Sequence, residues 1–179
     1  CRARLPPQDG EQGGAGHRPA QNVKISCGET TMSHQVSVFL ENKLGSIEKV
    51  TAVLSAAQID IRSLHLNHTA NGWGVLNLVV SDPEEAQRRL SAQGMASALR
   101  EIAVVEMPDR PGGLDELLKS VVRAGVSFTN AYGRTIRDGE SAFFVIDIQD
   151  MPEARERLRA VGLRILDDSA VYGPRGKRQ

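Results

Sequence analysis

The sequence has no excess of charge and no long apolar segment. Its 22 lysines and arginines are balanced by 22 aspartates and glutamates, so the net charge is zero. A neutral chain lacks the electrostatic footprint of a protein that binds nucleic acid or an anionic membrane. No run of residues approaches the ~18–20 apolar residues that are needed to cross a bilayer. We therefore expect a soluble protein with no nucleic-acid partner and no membrane partner.

Cysteine is also scarce. Cys1 and Cys27 both lie in the N-terminal segment, and the rest of the chain has none. This distribution excludes a disulfide framework or a thiolate metal site in the body of the chain, and it fits a reducing cytoplasm. From residue 32 onward, no pattern is typical of a catalytic triad, a cysteine nucleophile or a metal-ligand cluster. We expect a cytoplasmic protein that is not an enzyme and that has no cofactor and no metal.

The two ends of the chain differ from its body. Residues 1–31 are rich in Gly, Pro, Arg and Gln and contain few large apolar side chains. Such a segment buries too little surface to offset its ordering entropy, so we predict that it is disordered. Our hypothesis is that Met32 is the natural start and that residues 1–31 come from upstream translation; the alternative is a flexible tail of unknown use. Residues 174–179 form a basic tail.

The body of the chain contains a repeat. Residues 35–42 are typical of a strand, residues 43–46 of a turn with Ser46 as the helix N-cap, and the following apolar residues have helical spacing. Two strand patterns at 59–67 and 74–81 and a helix from Asp82-Pro83 to Gly94 complete the order β-α-β-β-α.

The same order returns about 67 residues later in the chain, with strands at 126–133 and 141–148. The segments 82–94 and 150–162 share seven of thirteen residues at an offset of 68. This self-similarity predicts an α+β fold of two tandem ferredoxin-like βαββαβ units, at 33–100 and 101–173.

The junction between the units is short. The segment 102–106 aligns both with 169–173, which we predict to be the closing strand of the second unit, and with the opening strand at 35–39. Two arrangements remain open: one strand at 101–107 shared by both units, or a short strand at 95–100 that runs straight into the next one.

The strand–helix turns carry a resemblance to a known family. Each unit has a strand that ends in "NKLGSI" or "DRPGGL" and is followed at once by a helix, and the next strand begins with "AQIDI" or "AGVSF". These features resemble the ACT domain, and in particular small stand-alone proteins made of two ACT units. The resemblance implies a ferredoxin-like fold with side-by-side sheet pairing between the units. It also implies an allosteric regulatory role and a small ligand, usually an amino acid, near the first strand–helix turn.

The chemistry of the turns is compatible with such a ligand. A helix N-terminus offers unpaired N–H groups to a carboxylate, glycines allow close approach, and a nearby carboxylate or amide can accept from an ammonium group. The alternative is a purely structural turn in which Asp109 caps the helix 114–124. Leu44 replaces the proline that the family usually has, so the first turn is less preorganised. The expected ligand-binding residues are Asp109, Arg110, Pro111, Gly112, Gly113, Leu114, Thr129 and Asn130 in the second unit, and Asn42, Leu44, Gly45, Ser46 and His65 in the first.

Other kinds of site do not fit the pattern. His65 and His68 are three residues apart on a predicted strand, so they point to opposite faces, and we expect both to be exposed to solvent. Phe143 and Phe144 are adjacent and also face opposite ways, which argues against the stacking surface of an RNA-binding module.

We therefore expect an amino-acid ligand, with a small or aliphatic side chain favoured, and a homodimer or a metabolic enzyme as the partner. The alternative function is a regulatory subunit that pairs with a metabolic enzyme and binds no small ligand.

Overall fold

The structure is a computed structural model that describes residues 33–68, 71–137 and 141–173, without the side chains of 134–137. The segment 1–31, Met32 and the basic tail 174–179 lie outside the described residues. The elements are β1 (His34–Glu41), α1 (Ser46–Ala56), β2 (Ile61–His68), β3 (Trp73–Val80), α2 (Pro83–Ala92), β4 (Ala96–Pro108), α3 (Gly113–Arg123), β5 (Asn130–Arg137), β6 (Ser141–Asp147), α4 (Met151–Ala160) and α5 (Asp168–Tyr172).

The two units form one continuous sheet of six strands, in the order β2-β3-β1-β4-β6-β5. Strand β4 joins them, since its first half, residues 96–101, pairs with β1 and its second half, residues 102–108, pairs with β6. Of the two arrangements that the sequence left open, the structure has the second: a short strand at 96–101 closes the first unit and runs straight into the opening strand of the second unit at 102–108, and the two together form β4. The predicted boundary between the units falls inside this strand, so no linker separates them.

The second unit closes differently from the prediction. The segment 169–173 is not a strand, because residues 168–172 form the short helix α5. The Asp167 side chain caps this helix by accepting from the Ala170 N–H at 2.9 Å, and this local bond favours a helix. The closing position on β4 is filled earlier, by Ile165, which forms a bridge with Val105.

Helices α1 to α4 lie on one face of the sheet. In the first unit, Val36 and Leu78 pack beneath α1 and α2 with Leu54 and Leu90. In the second unit the core beneath α3 and α4 includes Ala103, Val105, Leu117, Val121, Phe144, Ile146, Met151 and Leu158. These side chains alternate with others that face away from the helices, as expected for strands covered on one side.

The opposite face, which α1 to α4 leave uncovered, is curled into a half-barrel; we call it the helix-free face although the short helix α5 packs against one end of it. His65 of β2 and Tyr132 of β5 stack with their ring centroids 5.1 Å apart, although β2 and β5 are the two outermost strands of the sheet. Register shifts interrupt both outer strands, and such bulges increase local twist and bending. Helix α5 fills one end of the interior, where Val171 and Tyr172 pack against Val104. The helix-free face is therefore a concave surface between the two units.

Candidate functional site

The turn of the second unit depends on its two glycines. Gly112 is the N-cap of α3 and has a φ of 88°, in the left-handed region. A Cβ atom on Gly113 would lie 2.2 Å from the carbonyl oxygen of Pro108, so only glycine allows the helix to begin this close to the strand. No side chain among the described residues caps α3, and Gly112 rather than Asp109 occupies the N-cap position. The N–H groups of Leu114 and Asp115 lie in the first turn, where a helix supplies no acceptor.

Polar side chains around this turn are partly engaged with one another. Arg110 donates through Nη2 to both carboxylate oxygens of Glu116, at 2.8 and 2.7 Å. Pro111 is exposed, and the Gly113 N–H donates to the Arg110 carbonyl oxygen at 2.9 Å. This pairing holds Arg110 against the first turn of α3, and the carboxylate of Glu116 compensates its charge there.

The first unit has the same turn geometry. Gly45 is the N-cap of α1 with a φ of 83°, and the prediction that Ser46 is the N-cap is wrong, since Ser46 is the first residue of the helix. The left-handed glycine takes the capping position, so the helix begins with an N-cap that has no side chain. Leu44 is fully exposed, and the Asn42 N–H donates to the Gly72 carbonyl oxygen at 2.8 Å.

The structure separates Thr129, Asn130 and His65 from the turns. Asn130 pairs with Asp147, which pairs with Ile102, six residues before Pro108 on β4, or about 20 Å along the strand. His65 is aligned through Asn77 with Ser37, so it is offset from Asn42 by about 17 Å along the strand direction and also lies two strands away. These three residues do not complete the polar sets of the turns. Asn130 and His65 lie on the helix-free face instead.

His65 is not exposed as predicted. It is half-buried because it stacks on Tyr132, whereas His68 is exposed. The two stacked residues are 67 positions apart, which is the offset of the repeat, so they occupy equivalent places in the two units. Phe143 and Phe144 do face opposite ways, with Phe143 against the helix-free core and Phe144 beneath the helices.

A buried polar network joins the units across the helix-free face. The Gln35 side chain, fully buried on β1, donates from Nε2 to Asp147 Oδ2 at 3.2 Å and accepts from the Tyr132 hydroxyl at 2.8 Å. Arg100 donates to the same carboxylate through Nε at 3.0 Å and Nη2 at 3.1 Å. Burial, reinforced by the negative charge of Asp147, raises the pKa of Tyr132 well above its ordinary value. The network therefore holds a neutral phenol and a paired carboxylate.

Sequence reasoning missed this network. The carboxylate of Asp147 looks ordinary at a strand end, and Gln35 and Arg100 look like surface residues. A signal was nevertheless present in the repeat, because Gln35 occupies the place of Ile102 in the second unit, and Asp147 the place of Val79 in the first. Polar residues that replace apolar ones at equivalent strand positions indicate a buried contact between the units rather than within either one.

The interior of the half-barrel is open at the end opposite α5. We call this opening the mouth. It is a cavity of about 700 Å³ whose lining includes Phe39, Val75, Ala98, Arg100, Asn130 and Asp147. The side-chain nitrogen of Asn130 is buried there and makes no hydrogen bond within the described part of the chain.

The described part of the chain contains no group of three or more His, Cys, Asp or Glu side chains arranged to hold a metal ion. None of the helices in residues 33–68, 71–137 and 141–173 has the length and apolar content to span a membrane.

Comparison with known proteins identifies the family. The model of the ACT domain pair matches residues 31–171. The chain belongs to the ACT domain family. This ACT pair resembles the solved structure of protein BT0572 from Bacteroides thetaiotaomicron at 29% identity, with a TM-score of 0.72 over 80% of this chain and 97% of that one.

A more distant relative shares the fold alone. The ligand-free regulatory subunit of aspartate kinase from Thermus thermophilus is 18% identical, with a TM-score of 0.56 over 73% of this chain and 91% of that one. No curated protein gives a significant sequence match to this ACT pair.

Proposed function

We propose that this ACT pair is a cytoplasmic, non-catalytic regulatory protein that binds an amino acid at its strand–helix turns. The observation that carries the proposal is the open N-terminus of α3, where Gly112 has no side chain and Gly113 approaches the end of β4. The N–H groups of Leu114 and Asp115 are donors for a ligand carboxylate, and the helix dipole favours that charge. The half-buried Asp109 stands nearby as an acceptor for the ligand's ammonium group.

The turn in the first unit is a second, weaker site. Gly45 gives α1 the same open N-terminus, but the fully exposed Leu44 precedes it instead of proline. Since proline fixes φ ahead of the helix, the turn at Asp109–Gly113 is better preorganised. We expect it to bind first, with a small or aliphatic amino acid favoured.

Regulation follows from where the turns lie. Both turns are at the surface, so a ligand held at one can also contact a second copy of the chain or a metabolic enzyme. If the ligand binds one arrangement of the chain and its partner more tightly than another, it shifts the population toward the arrangement that it binds better. The fold shared with a regulatory subunit of aspartate kinase supports a regulatory rather than a catalytic role.

The test is a thermal-shift screen of the full chain against the standard amino acids. A ligand at about 100 times its dissociation constant adds roughly 2.7 kcal/mol to the free energy of unfolding. Gly112→Asp places a carboxylate beside the ligand's own, and aspartate tolerates the left-handed conformation better than most residues. We expect this variant to lose the shift.

Gly45→Asp is the matched control, because Gly45 has nearly the same φ and, like Gly112, would bring a Cβ within 4 Å of no described atom. It should keep the shift that belongs to the turn of the second unit. If no amino acid at millimolar concentration moves the melting temperature, the alternative is favoured, in which the chain pairs with an enzyme and binds no small ligand.

A further inference from the structure

The mouth of the half-barrel has an apolar part and a polar part that face the same space. Phe39 and Ala98 lie on its apolar side, and Phe39 is 53% exposed although it is a large aromatic residue. Arg100 and Asn130 lie on the polar side. Phe39 pairs with Ala96, four residues before Arg100 on the same strand, so it lies about 13 Å from Arg100 along the strand, whereas Ala98 lies about 7 Å from it. A cavity of about 700 Å³ with this division is of the size that small-molecule sites have.

The polar part has hydrogen-bond donors in excess. Arg100 uses two of its five N–H groups on Asp147, and the other three have no acceptor within the described residues. Asn130 holds a buried amide nitrogen without a partner there. A buried donor without an acceptor costs free energy, so a ligand oxygen that accepts from it is favoured. The side-chain amide of asparagine rotates easily, so the Asn130 nitrogen can turn to donate a hydrogen bond to a ligand oxygen in the mouth.

Two acceptors of the mouth, by contrast, are already used. Asp147 receives both bonds from Arg100 and a third from Gln35, so its charge is compensated inside the protein. Asn77 accepts from the Ser37 hydroxyl at 2.7 Å. The unused donors of Arg100 and Asn130 therefore suit the oxygen acceptors of a ligand such as a carboxylate, and the mouth offers no free carboxylate to an ammonium group.

We propose that the mouth is a second binding site, separate from the strand–helix turns, for a monocarboxylate with an apolar body. The carboxylate pairs with Arg100 and Asn130, and the body lies against Phe39, Val75 and Ala98. The α-ammonium group that an amino acid needs at the turns is not needed here. The ligand spans both units, because Phe39 belongs to the first and Asn130 to the second, so it favours the curled arrangement of the sheet.

Three related compounds test the proposal by titration into the isotope-labelled full chain, followed by NMR. They are 3-phenylpropanoate, L-phenylalanine and 2-phenylethylamine, which keep the phenyl group and differ in carboxylate and ammonium. We expect 3-phenylpropanoate to bind at the mouth at least as tightly as L-phenylalanine, and the amine to bind at least about tenfold more weakly. Amide signals of Ala98, Arg100 and Asn130 should shift with saturation.

Two variants block the site in different ways. Ala98→Phe fills the apolar side, and Ala52→Phe on the exposed face of α1 is its matched control. Asn130→Leu keeps the shape of the side chain and removes the unpaired donor, so it should raise the melting temperature of the free protein. The same variant should weaken the binding of 3-phenylpropanoate at least about tenfold.

The proposed site at the mouth and the proposed site at the turns can be disproved independently of each other. Gly112→Asp should leave 3-phenylpropanoate binding intact, and Ala98→Phe should leave any amino-acid shift at the turns intact. The proposal is overturned if 3-phenylpropanoate at about 10 mM moves no signal at the mouth, or if the amine binds equally well. The proposal is also overturned if light scattering shows that Ala98→Phe changes the oligomeric state, because a second copy of the chain would then occupy the mouth in the unsubstituted protein.

Discussion

Gly113→Ala tests the geometry of the turn that carries the proposed function. The new Cβ would lie 2.2 Å from the Pro108 carbonyl oxygen, at least 0.8 Å closer than the 3.0 Å below which real Cβ contacts are essentially absent. The oxygen belongs to the backbone of β4, and α3 is anchored in the core by Leu117 and Val121, so neither side moves easily. We expect a loss of about 3 kcal/mol or more in the free energy of unfolding.

Gly112→Ala is the matched control one residue away. Its Cβ meets no described atom within 4 Å, and its only cost is the left-handed φ of 88°. That cost is about 1–2 kcal/mol. Both variants are measured by urea denaturation with the slope m compared, so that a change in the denatured state is recognised. Equal losses in the two variants would refute the close approach between α3 and β4.

Further predictions concern the contact between the units. Tyr132→Phe leaves the side-chain oxygen of Gln35 buried without its donor, so denaturant unfolding should show a loss of about 1–3 kcal/mol; an unchanged midpoint would contradict the network. Arg100→Met removes the partner of the buried Asp147 carboxylate and should cost about 1–3 kcal/mol, discounted because the arginine side chain is 45% exposed. Lys119→Met, which breaks the exposed pair with Asp115, is its control and should leave stability nearly unchanged. Burial raises the pKa of Tyr172 from 10.0 to about 12 and that of Tyr132 further. Because the unfolded state then loses these protons first, stability should be full below about pH 10 and fall as pH rises through the folded pKa. Melting temperatures that rise over this range would contradict the burial of the phenols.

The repeat in the sequence predicts most of the fold. The apolar spacing and the offset of 67 to 68 residues locate four of the helices and both units. The apolar spacing is a property of each helix by itself, and the offset follows from the repetition of the whole unit. The strand predicted at 126–133 is instead β5 at Asn130–Arg137, since residues 126–128 precede the sheet pairing that defines a strand. The prediction of Ser46 as the N-cap was wrong because a glycine in the left-handed conformation can take the capping position without a side chain. The residue type at a single position does not reveal this.

The contact between the units could not be predicted in the same way. The stack of His65 on Tyr132 joins the two ends of the sheet, and it depends on the accumulated twist of all six strands. No pattern within a single strand predicts the accumulated twist of the sheet. The candidate site was affected accordingly, since Thr129 and Asn130 were assigned to the turn although they lie near the mouth, and Arg100 and Asp147 were not recognised as a buried pair.

The most direct test of the proposed function is an amide NMR titration of the full chain with each standard amino acid. We expect at least one of them to shift the signals of Leu114 and Asp115 with saturation, and we expect the shifts to disappear in Gly112→Asp. If no amino acid at about 10 mM moves these two signals, an amino-acid site at the N-terminus of α3 is contradicted.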